Sequence, residues 1–332
     1  MNALTLNPNS GQIETWQDRW TQAAESWLLN FNSDRTRRTY RDTWLNFLRF
    51  CPKSPDTIVQ SDVIAYRRMV ETTPNQRTGK PYSQSTINLH LSALSSFYQA
   101  AIRQGLRPDN PVEGVKRKAV DPYGKATSLK AEAGEDYEFL AQIDRATQQG
   151  KRDYAICLVL LTTGVRVSAV ANLYLSSLRR QGQRMFMRYI NKGGKSIEVE
   201  LKSSAIRAID DYLSTRDNLS DSDPLFTATE RGQQAIINRG LNTDTARPLS
   251  ARMIHKLVVK YANKALGKGH GIRPHSLRHT AAINASQHGT VAEVSRLLKH
   301  KNTQITTIYL DHVNDETTDN LISALDNRYA NA

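Results

Sequence analysis

The chain has 332 residues, of which 39% are hydrophobic and 23% charged, with 17 Gly and 11 Pro. This length allows two domains of ordinary size, and the composition excludes a collagen-like, low-complexity or mainly disordered chain. Lys and Arg (45) exceed Asp and Glu (32), and the net charge of +13 favours a polyanionic partner such as nucleic acid or an anionic membrane.

No segment predicts a membrane span or a secretory signal. The longest apolar stretch, residues 154–165, is shorter than the roughly 20 residues that a spanning helix needs. The first 20 residues lack a basic start followed by an apolar segment. Cys51 and Cys157 lie far apart in hydrophobic surroundings, which predicts two buried thiols in a reducing compartment. We therefore expect a cytoplasmic protein, associated with the nucleoid if the host is a prokaryote.

The first hundred residues carry a helical pattern. Apolar residues recur at three- and four-residue spacings over residues 16–31, 39–50 and 85–103, as in amphipathic helices that bury one face. Ser85 or Thr86 is the predicted N-cap of the third helix. The apolar stripe predicted for that helix comprises Ile87, Leu89, Leu91, Leu94, Phe97 and Ala100. The pattern predicts a small helical bundle.

Residues 115–127, VKRKAVDPYGKAT, indicate a linker because they combine a basic run with Pro and Gly and lack an apolar period. Thr290 and Glu293 have the spacing of a capping box. Helical patterns follow the linker at residues 134–147, 153–162, 204–215, 250–265, 275–288 and 291–300. The chain carries net positive charge on both sides of the linker, so both parts are suited to bind a polyanion.

Residues 185–201 change to the period of a strand. Ile197, Val199 and Leu201 alternate with polar residues, and the turn sequence NKGGK at 191–195 precedes them. This pattern predicts a β-hairpin with lysines at its tip.

The segment PHSLRHT at 274–280 predicts a basic helix face. His275 and Arg278 are three residues apart, and Pro274 suits the first turn of a helix. The pair alone is compatible with a solvated or salt-bridged helix face or with an anion site. A zinc site through His275 and His279 is disfavoured, since the Glu of H-E-x-x-H is missing and Arg278 repels a cation.

Four fragments occur in a fixed order: TTGVRVSAVANL, NKGGK, PHSLRHT and, near the C-terminus, LLKHKNTQITTIYLDH. In order and spacing they resemble the tyrosine recombinase (phage integrase) family. The catalytic pattern of that family is Arg in T-G-x-R-x-S, Lys in a β-hairpin turn, H-x-L-R-H, and L-L-G-H followed nine residues later by Tyr. Carried over residue by residue, the resemblance implies the catalytic residues Arg166, Lys192, His275, Arg278, His300 and Tyr309.

The N-terminal half resembles the helical core-binding domain of the family in RRTYRDTWLNFLRF and in STINLHLSALSSFYQAAIRQGL followed by NPV. The implied fold is mainly α with a small β-sheet in the catalytic domain. A helical, SAM-like core-binding domain over residues 1–118, a linker over 119–127 and an α+β catalytic domain with a C-terminal tail helix over 128–332 are expected to clamp opposite sides of a duplex.

The chemistry explains these residue types. Two arginines suit the nonbridging oxygens of a phosphodiester transition state because they are always charged and donate in a fork. The resemblance makes Tyr309 the nucleophile and His275 its base, since a phenol with a pKa near 10 must lose its proton to attack. Lys192, with Lys195 as the alternative, is the expected general acid for the leaving 5′ oxygen.

His300 is expected to hydrogen-bond the phosphate or to align the nucleophile. One continuous helix would place His300 and Tyr309 on opposite faces, so we predict a break at residues 301–303. Residues 315–329 predict an amphipathic helix that packs on its own domain or, as the resemblance implies, on a neighbouring protomer.

Two positions depart from the family pattern. Ala169 replaces the usual acidic residue three places after the first arginine, and Lys299 replaces the usual Gly before the second histidine. The first change removes a carboxylate that orients neighbouring groups, so either activity is reduced or another acid substitutes. The second adds a cation near the scissile phosphate.

The resemblance implies a site-specific DNA recombinase that cuts and rejoins strands through a 3′-phosphotyrosyl intermediate and a Holliday junction. The implied partners are duplex DNA with inverted-repeat core sites, further copies in a homotetramer that exchanges C-terminal helices, and an accessory directionality factor. No cofactor or metal is implied, and GKGHG at 267–271 lacks the spacing of a nucleotide-binding P-loop. The alternatives are a type IB topoisomerase or telomere resolvase with the same chemistry, and a non-catalytic DNA-binding protein on this fold, which Ala169 supports.

Overall fold

A computed structural model describes residues 5–6, 13–14, 16–75, 78–120, 127–191, 194–228 and 247–298. The chain divides into two compact units, residues 1–122 and 123–332. The predicted domain boundaries at 118 and 128 stay predictions, and most of the predicted linker, 121–126, lies outside the described residues. In the part of the chain that is described, no helix is long and apolar enough to cross a membrane.

In its described residues, the first unit is helical apart from one short pair of antiparallel strands. The strands are β1 (Thr5–Leu6) and β2 (Ile13–Glu14). The helices are α1 (Trp16–Leu29), α2 (Asp34–Phe50), α3 (Gln60–Thr72) and α4 (Gln84–Arg103). The predicted helical bundle is therefore present, with α3 as a helix that the sequence pattern did not single out.

Side-chain caps set where two of these helices begin. The hydroxyl of Ser33 accepts a hydrogen bond from the backbone N–H of Thr36 at the start of α2. The hydroxyl of Ser83 accepts from the N–H of Thr86 at 3.2 Å at the start of α4. The predicted caps Ser85 and Thr86 are wrong, because both lie inside the first turn that Ser83 caps.

Aromatic side chains fill the core of the first unit. The rings of Trp44 and Phe97 lie 3.8 Å apart between centroids, and the ring of Trp27 lies 5.3 Å from that of Phe97. The stripe predicted for α4 is buried except for Leu89, which is 38% exposed. Leu89 lies two residues after Ile87, which is about 200° around a helix, so it points away from the buried face.

The described part of the second unit combines helices with one small sheet. Its helices are α5 (Glu135–Ala141), α6 (Gln148–Thr163), α7 (Val167–Ala171), α8 (Ser203–Leu213), α9 (Ala251–Leu266), α10 (Pro274–Ser286) and α11 (Val291–Leu298). Two short 3₁₀ helices cover Ala131–Ala133 and Leu175–Ser177. Its strands are β3 (Leu178–Gln181), β4 (Arg184–Ile190) and β5 (Ser196–Leu201). The predicted fold class, mainly α with a small β-sheet, is confirmed.

The helix predicted over residues 134–147 is shorter than expected. Helix α5 ends at Ala141, and the hydroxyl of Thr147 accepts a hydrogen bond from the N–H of Gly150 as the N-cap of α6. Because an N-cap residue has an extended backbone, Thr147 cannot also continue α5.

The strands form an antiparallel sheet in the order β3-β4-β5. Met187 pairs with Val199, and Tyr189 pairs with Ile197, so the predicted hairpin around residues 191–195 is confirmed. Met185, Met187, Val199 and Leu201 are buried. The opposite face carries Arg–Glu ion pairs, among them Arg184 with Glu200 at 2.8 Å.

Helix α6 runs through the core of the second unit, where residues 155–160 are all buried. Near its start, the guanidinium of the buried Arg152 donates to the carboxylate of Asp153, which also accepts from the hydroxyl of Tyr261 at 2.9 Å. Each group in this network has a partner, so its burial is tolerated. Cys157 in α6 and Cys51 in the first unit are buried and free, as predicted.

Helices α10 and α11 pack through Ala282, Val294 and Leu298. The predicted capping box before α11 is present: the backbone N–H of Thr290 donates to the Glu293 carboxylate at 2.8 Å, and the N–H of Glu293 donates to the Thr290 hydroxyl at 3.4 Å. This box fixes the start of α11, which leads toward residue 300.

Candidate active site

Arg166 lies in a short connection between two helices. Helix α6 ends at Thr163, and Gly164, with φ of +62°, closes it by donating its N–H to the carbonyl oxygen of Leu160. Arg166 is the extended N-cap residue of α7. The T-G-x-R sequence therefore ends one helix and starts the next within three residues, and it leaves the half-buried Arg166 side chain at their junction.

Gly164 also permits a close approach of three helices. A Cβ atom at this position would lie 2.6 Å from Cδ2 of Leu298 and 3.5 Å from Cβ of Ala281. The left-handed backbone favours glycine as well. Gly164 thus brings the connection that carries Arg166 against α10 and α11.

Helix α10 carries His275 and Arg278 one turn apart. Pro274 occupies its first turn, and the backbone N–H of Arg273 donates to the hydroxyl of Ser276 at 3.1 Å. This start of the helix is the one that the sequence predicted from Pro274.

Arg278 is 2% exposed and binds two backbone carbonyl groups. Its Nη1 atom donates to the carbonyl oxygen of Gly164, and its Nη2 atom donates to the carbonyl oxygen of Leu298 at 2.6 Å. The side chain therefore joins the Arg166 connection to the end of α11.

The positive charges of both arginines act on His275. Burial lowers the pKa of His275, and the positive charges of Arg278 and Arg166 lower it further. The His275 ring also meets the ring of His279 edge to face, with 4.8 Å between centroids. The structure thus brings Arg166, His275 and Arg278 together, and it favours a neutral His275 at neutral pH.

Tyr189 near the end of β4 and Asn191 just after it interact with this cluster. Burial raises the pKa of the half-buried Tyr189, and the charges of Arg278 and Arg166 oppose that rise. Asn191, directly after β4, accepts a hydrogen bond through Oδ1 from Nη1 of Arg166 at 3.1 Å. The sequence pattern assigned neither residue to the site, and the only signal for them was the NKGGK turn, which Asn191 begins and Tyr189 precedes by two residues.

The other predicted catalytic residues, Lys192, His300 and Tyr309, lie outside the described residues, as do Lys299, the predicted break at 301–303 and the predicted tail helix at 315–329. The ends of the lysine turn are described. The N–H of Asn191 donates to the carbonyl oxygen of Lys195 at 2.8 Å, and the N–H of Gly194 donates to that of Asn191 at 3.0 Å. Lys195, the alternative general acid, is exposed.

Ala169 is 6% exposed in α7. Among the ion pairs of the described residues, none includes Arg166. A concentration of positive charge with fork-shaped donors suits an anionic oxygen ligand such as a phosphodiester. Within the described ranges, no group of three or more His, Cys, Asp or Glu residues could hold a metal ion.

Two family models match the chain. The model described as the phage integrase family matches residues 133–316, and the model described as the phage integrase N-terminal SAM-like domain matches residues 19–107. The first of these ranges includes all six positions of the predicted catalytic pattern.

Two curated relatives match over nearly their whole length. A tyrosine recombinase of Synechococcus elongatus is 29% identical over 316 residues, which cover 90% of this chain and 92% of the relative. Tyrosine recombinase XerC of Listeria welshimeri is 30% identical over 302 residues, covering 88% of this chain and 93% of the relative.

Solved structures share the fold at low sequence identity. The XerH site-specific recombinase bound to a palindromic difH substrate has a TM-score of 0.64 and 18% identity, covering 87% of this chain and 80% of that one. A lambda integrase tetramer bound to a Holliday junction has a TM-score of 0.64 and 17% identity, covering 89% and 76%.

Proposed function

Because the chain belongs to the phage integrase family, we propose that Arg166, His275 and Arg278 form its phosphate-binding centre. The chain is a tyrosine recombinase, a site-specific recombination enzyme that breaks and rejoins DNA strands. The observation that carries the residue assignment is the hydrogen bond from Arg278 to the carbonyl oxygen of Gly164, which joins helix α10 to the connection that carries Arg166. The charges of both arginines also act on His275.

The two arginines stabilise the transition state. When a nucleophile attacks the scissile phosphorus, negative charge accumulates on the nonbridging oxygens. Preorganised cationic donors bind that charge more tightly than they bind the ground state. Arg278 is held by two carbonyl groups and Arg166 by one amide oxygen, so both guanidinium groups are oriented before DNA binds.

His275 accepts the proton of the nucleophile. Its lowered pKa favours the neutral imidazole, which has a nitrogen lone pair that can take a proton. The hydroxyl oxygen of Tyr309 attacks phosphorus, the P–O5′ bond breaks, and a 3′-phosphotyrosyl bond forms. The phenol proton passes to His275.

Lys192 supplies the proton that the leaving 5′ oxygen needs, and His300 hydrogen-bonds the phosphate or aligns Tyr309. The reverse reaction with the 5′ hydroxyl of a partner strand regenerates the phenol and seals the new phosphodiester. Because the phosphotyrosyl bond retains the energy of the broken bond, strand joining requires no nucleotide.

The substrate is duplex DNA with inverted-repeat core sites, and recombination proceeds through a Holliday junction in a homotetramer. The net charge of +13 supports a DNA partner. The lambda integrase tetramer bound to a Holliday junction, which shares this fold, supports the assembly. Exchange of C-terminal helices and an accessory directionality factor belong to the same proposal.

One plasmid assay separates recombination from the rival activities. The full-length protein is incubated with a plasmid carrying two copies of the core site, and the products are resolved on denaturing gels. Covalent protein–DNA adduct together with recombinants is the expected result. Adduct with relaxed circles alone would indicate a topoisomerase, hairpin ends would indicate a telomere resolvase, and DNA binding without adduct would indicate a non-catalytic protein.

A further inference from the structure

The side chain of Asn191 contacts a proposed catalytic arginine. Its Oδ1 atom accepts a hydrogen bond from Nη1 of Arg166 at 3.1 Å. Twenty-five residues separate the two in sequence, and the bond joins the end of β4 to the connection before α7. The contact is therefore a tertiary one that depends on how the hairpin packs.

The backbone of Asn191 has a separate role in the lysine turn. Its N–H donates to the carbonyl oxygen of Lys195 at 2.8 Å, and its carbonyl oxygen accepts from the N–H of Gly194 at 3.0 Å. A change of side chain leaves both of these atoms in place. The φ angle of Asn191 is also not positive, since Asn218 is the one non-glycine residue with positive φ in the described part of the chain. Other side chains at 191 are therefore compatible with the same turn.

The acceptor that Asn191 offers is neutral. A carboxylate would orient Arg166 equally well but would neutralise part of its charge, whereas an amide oxygen leaves the charge for the ligand. Ala169 occupies the position where the family pattern has an acidic residue. Among the described residues, no ion pair includes Arg166. A guanidinium group has five N–H donors, so a single bond to Asn191 leaves the others to bind phosphate oxygens.

We infer that Asn191 is a positioning residue: it orients the guanidinium of Arg166 toward the scissile phosphate without pairing its charge. The inference rests on the proposed function, because it assigns Arg166 to the phosphate. It predicts that Asn191 affects the cleavage step and leaves DNA affinity nearly unchanged.

The test uses Asn191→Leu, which keeps the size of the side chain and removes the acceptor, with Asn191→Ala as a second variant. Ile190→Ala is the matched control, because Ile190 is adjacent and 64% exposed and lies on the strand rather than at Arg166. Thermal melting first verifies that each full-length protein is folded. Single-turnover cleavage is then measured at saturating protein on a nicked substrate whose bridging 5′ atom is oxygen or sulfur.

Both Asn191 variants are expected to cleave about tenfold to a hundredfold more slowly, the range for a lost hydrogen bond to a charged group. The loss should be equal for oxygen and sulfur, because a phosphate ligand rather than a leaving-group acid is disturbed. Binding of uncleaved duplex should change by about twofold or less, since spread phosphate contacts dominate affinity. In an Arg166→Lys background, Asn191→Leu should add little further loss, because coupled residues are not additive.

Three results would overturn the inference. Cleavage by Asn191→Leu at the wild-type rate would show that the bond has no role, and an equal loss in Ile190→Ala would show a general effect of the strand end. Full rescue by sulfur would show that Asn191 acts on the leaving group. Failure of the proposed function itself is distinguishable, because the wild type would then form no adduct.

Discussion

Nη2 of Arg278 donates a hydrogen bond to the backbone carbonyl oxygen of Leu298 at 2.6 Å, while Nη1 of the same side chain donates to the carbonyl oxygen of Gly164. One buried guanidinium therefore fixes the end of α11 and the connection that leads to Arg166. The proposed phosphate ligand is also a structural tie, so its substitution affects stability and catalysis together.

Arg278→Lys tests this double role. A lysine has one nitrogen on a flexible stem and cannot span two carbonyl groups in the fixed fork of an arginine. We expect a loss of about 1–3 kcal/mol in the free energy of unfolding and a loss of about a hundredfold or more in cleavage rate. Urea denaturation and single-turnover cleavage measure the two. Arg166→Lys is the control, since Arg166 is half-buried and should lose activity with a smaller loss of stability. Equal stability losses in the two variants would contradict this account of Arg278.

Gly164→Ala tests the close approach of α6, α10 and α11. Gly182→Ala is a matched control, because Gly182 has a similar φ of +59° but a Cβ atom added there would meet no atom within 4 Å. Both variants share the backbone cost of about 1 kcal/mol. Only Gly164→Ala adds overlap with Leu298, which should cost about 1–3 kcal/mol more. Urea denaturation compares the free energies of unfolding of the two variants. Equal values would show that the Leu298 side chain can move away from the added methyl group without loss of stability.

The pH dependence of cleavage should report the lowered pKa of His275. Burial and the charges of Arg278 and Arg166 hold this pKa below its ordinary value of about 6.5, so His275 is neutral at pH 7 and becomes protonated only at lower pH. The cleavage rate should therefore rise as the pH is raised, and it should already reach its plateau at a pH below about 6.5. By linkage, the folded state binds fewer protons here than the unfolded chain, so this site's contribution to stability falls as the pH falls below about 6.5.

An NMR titration separates the causes of that shift. Arg166→Gln removes one positive charge near His275 and should raise its pKa toward the ordinary value. Arg188 pairs with Glu198 on the sheet. Arg188→Gln also removes one positive charge, but it should leave the His275 titration unchanged. Equal shifts in the two variants would point to overall charge rather than to the proximity of Arg166.

Local patterns account for the parts of the fold that the sequence predicts. The alternation of Ile197, Val199 and Leu201 predicts the hairpin, and Thr290 with Glu293 predicts the start of α11. Strand β3, LRRQ, is not predicted from the sequence, because it lies at the sheet edge with three exposed residues and has no apolar alternation. Helix α3 is not predicted either, because its first turn is polar, although Val63, Tyr66 and Val70 are buried at helical spacing.

Some residues of the candidate site can be predicted from the sequence and others cannot. Arg166, His275 and Arg278 are predictable because they occupy motif positions. Tyr189 and Asn191 are not, since their place beside the arginines follows from how the β4–β5 hairpin packs on the helices, which is a tertiary relationship. The carbonyl groups that accept from Arg278 cannot be predicted from the sequence either, because every residue has a backbone carbonyl.

Replacing the leaving 5′ oxygen by sulfur tests the role of Lys192 as general acid. A general acid is needed only when the leaving group is poor, so sulfur in place of the bridging 5′ oxygen should largely rescue Lys192→Ala and should not rescue Arg166→Ala. Lys195→Ala, on the same turn, serves as the matched control and should need no rescue. Rescue confined to the Lys195 variant would transfer the acid role to that residue.

The proposed function depends on DNA cleavage by attack of Tyr309 on the scissile phosphate. The most direct measurement is peptide mapping of the covalent adduct formed by the wild-type protein on a nicked suicide substrate, with Tyr309→Phe assayed in parallel. We expect the DNA to be attached to the peptide containing Tyr309, and we expect the Phe variant to bind the substrate nearly as the wild type does and to form no adduct. Attachment to another residue, such as Tyr189 beside the arginines, or persistent adduct in the Phe variant would contradict it.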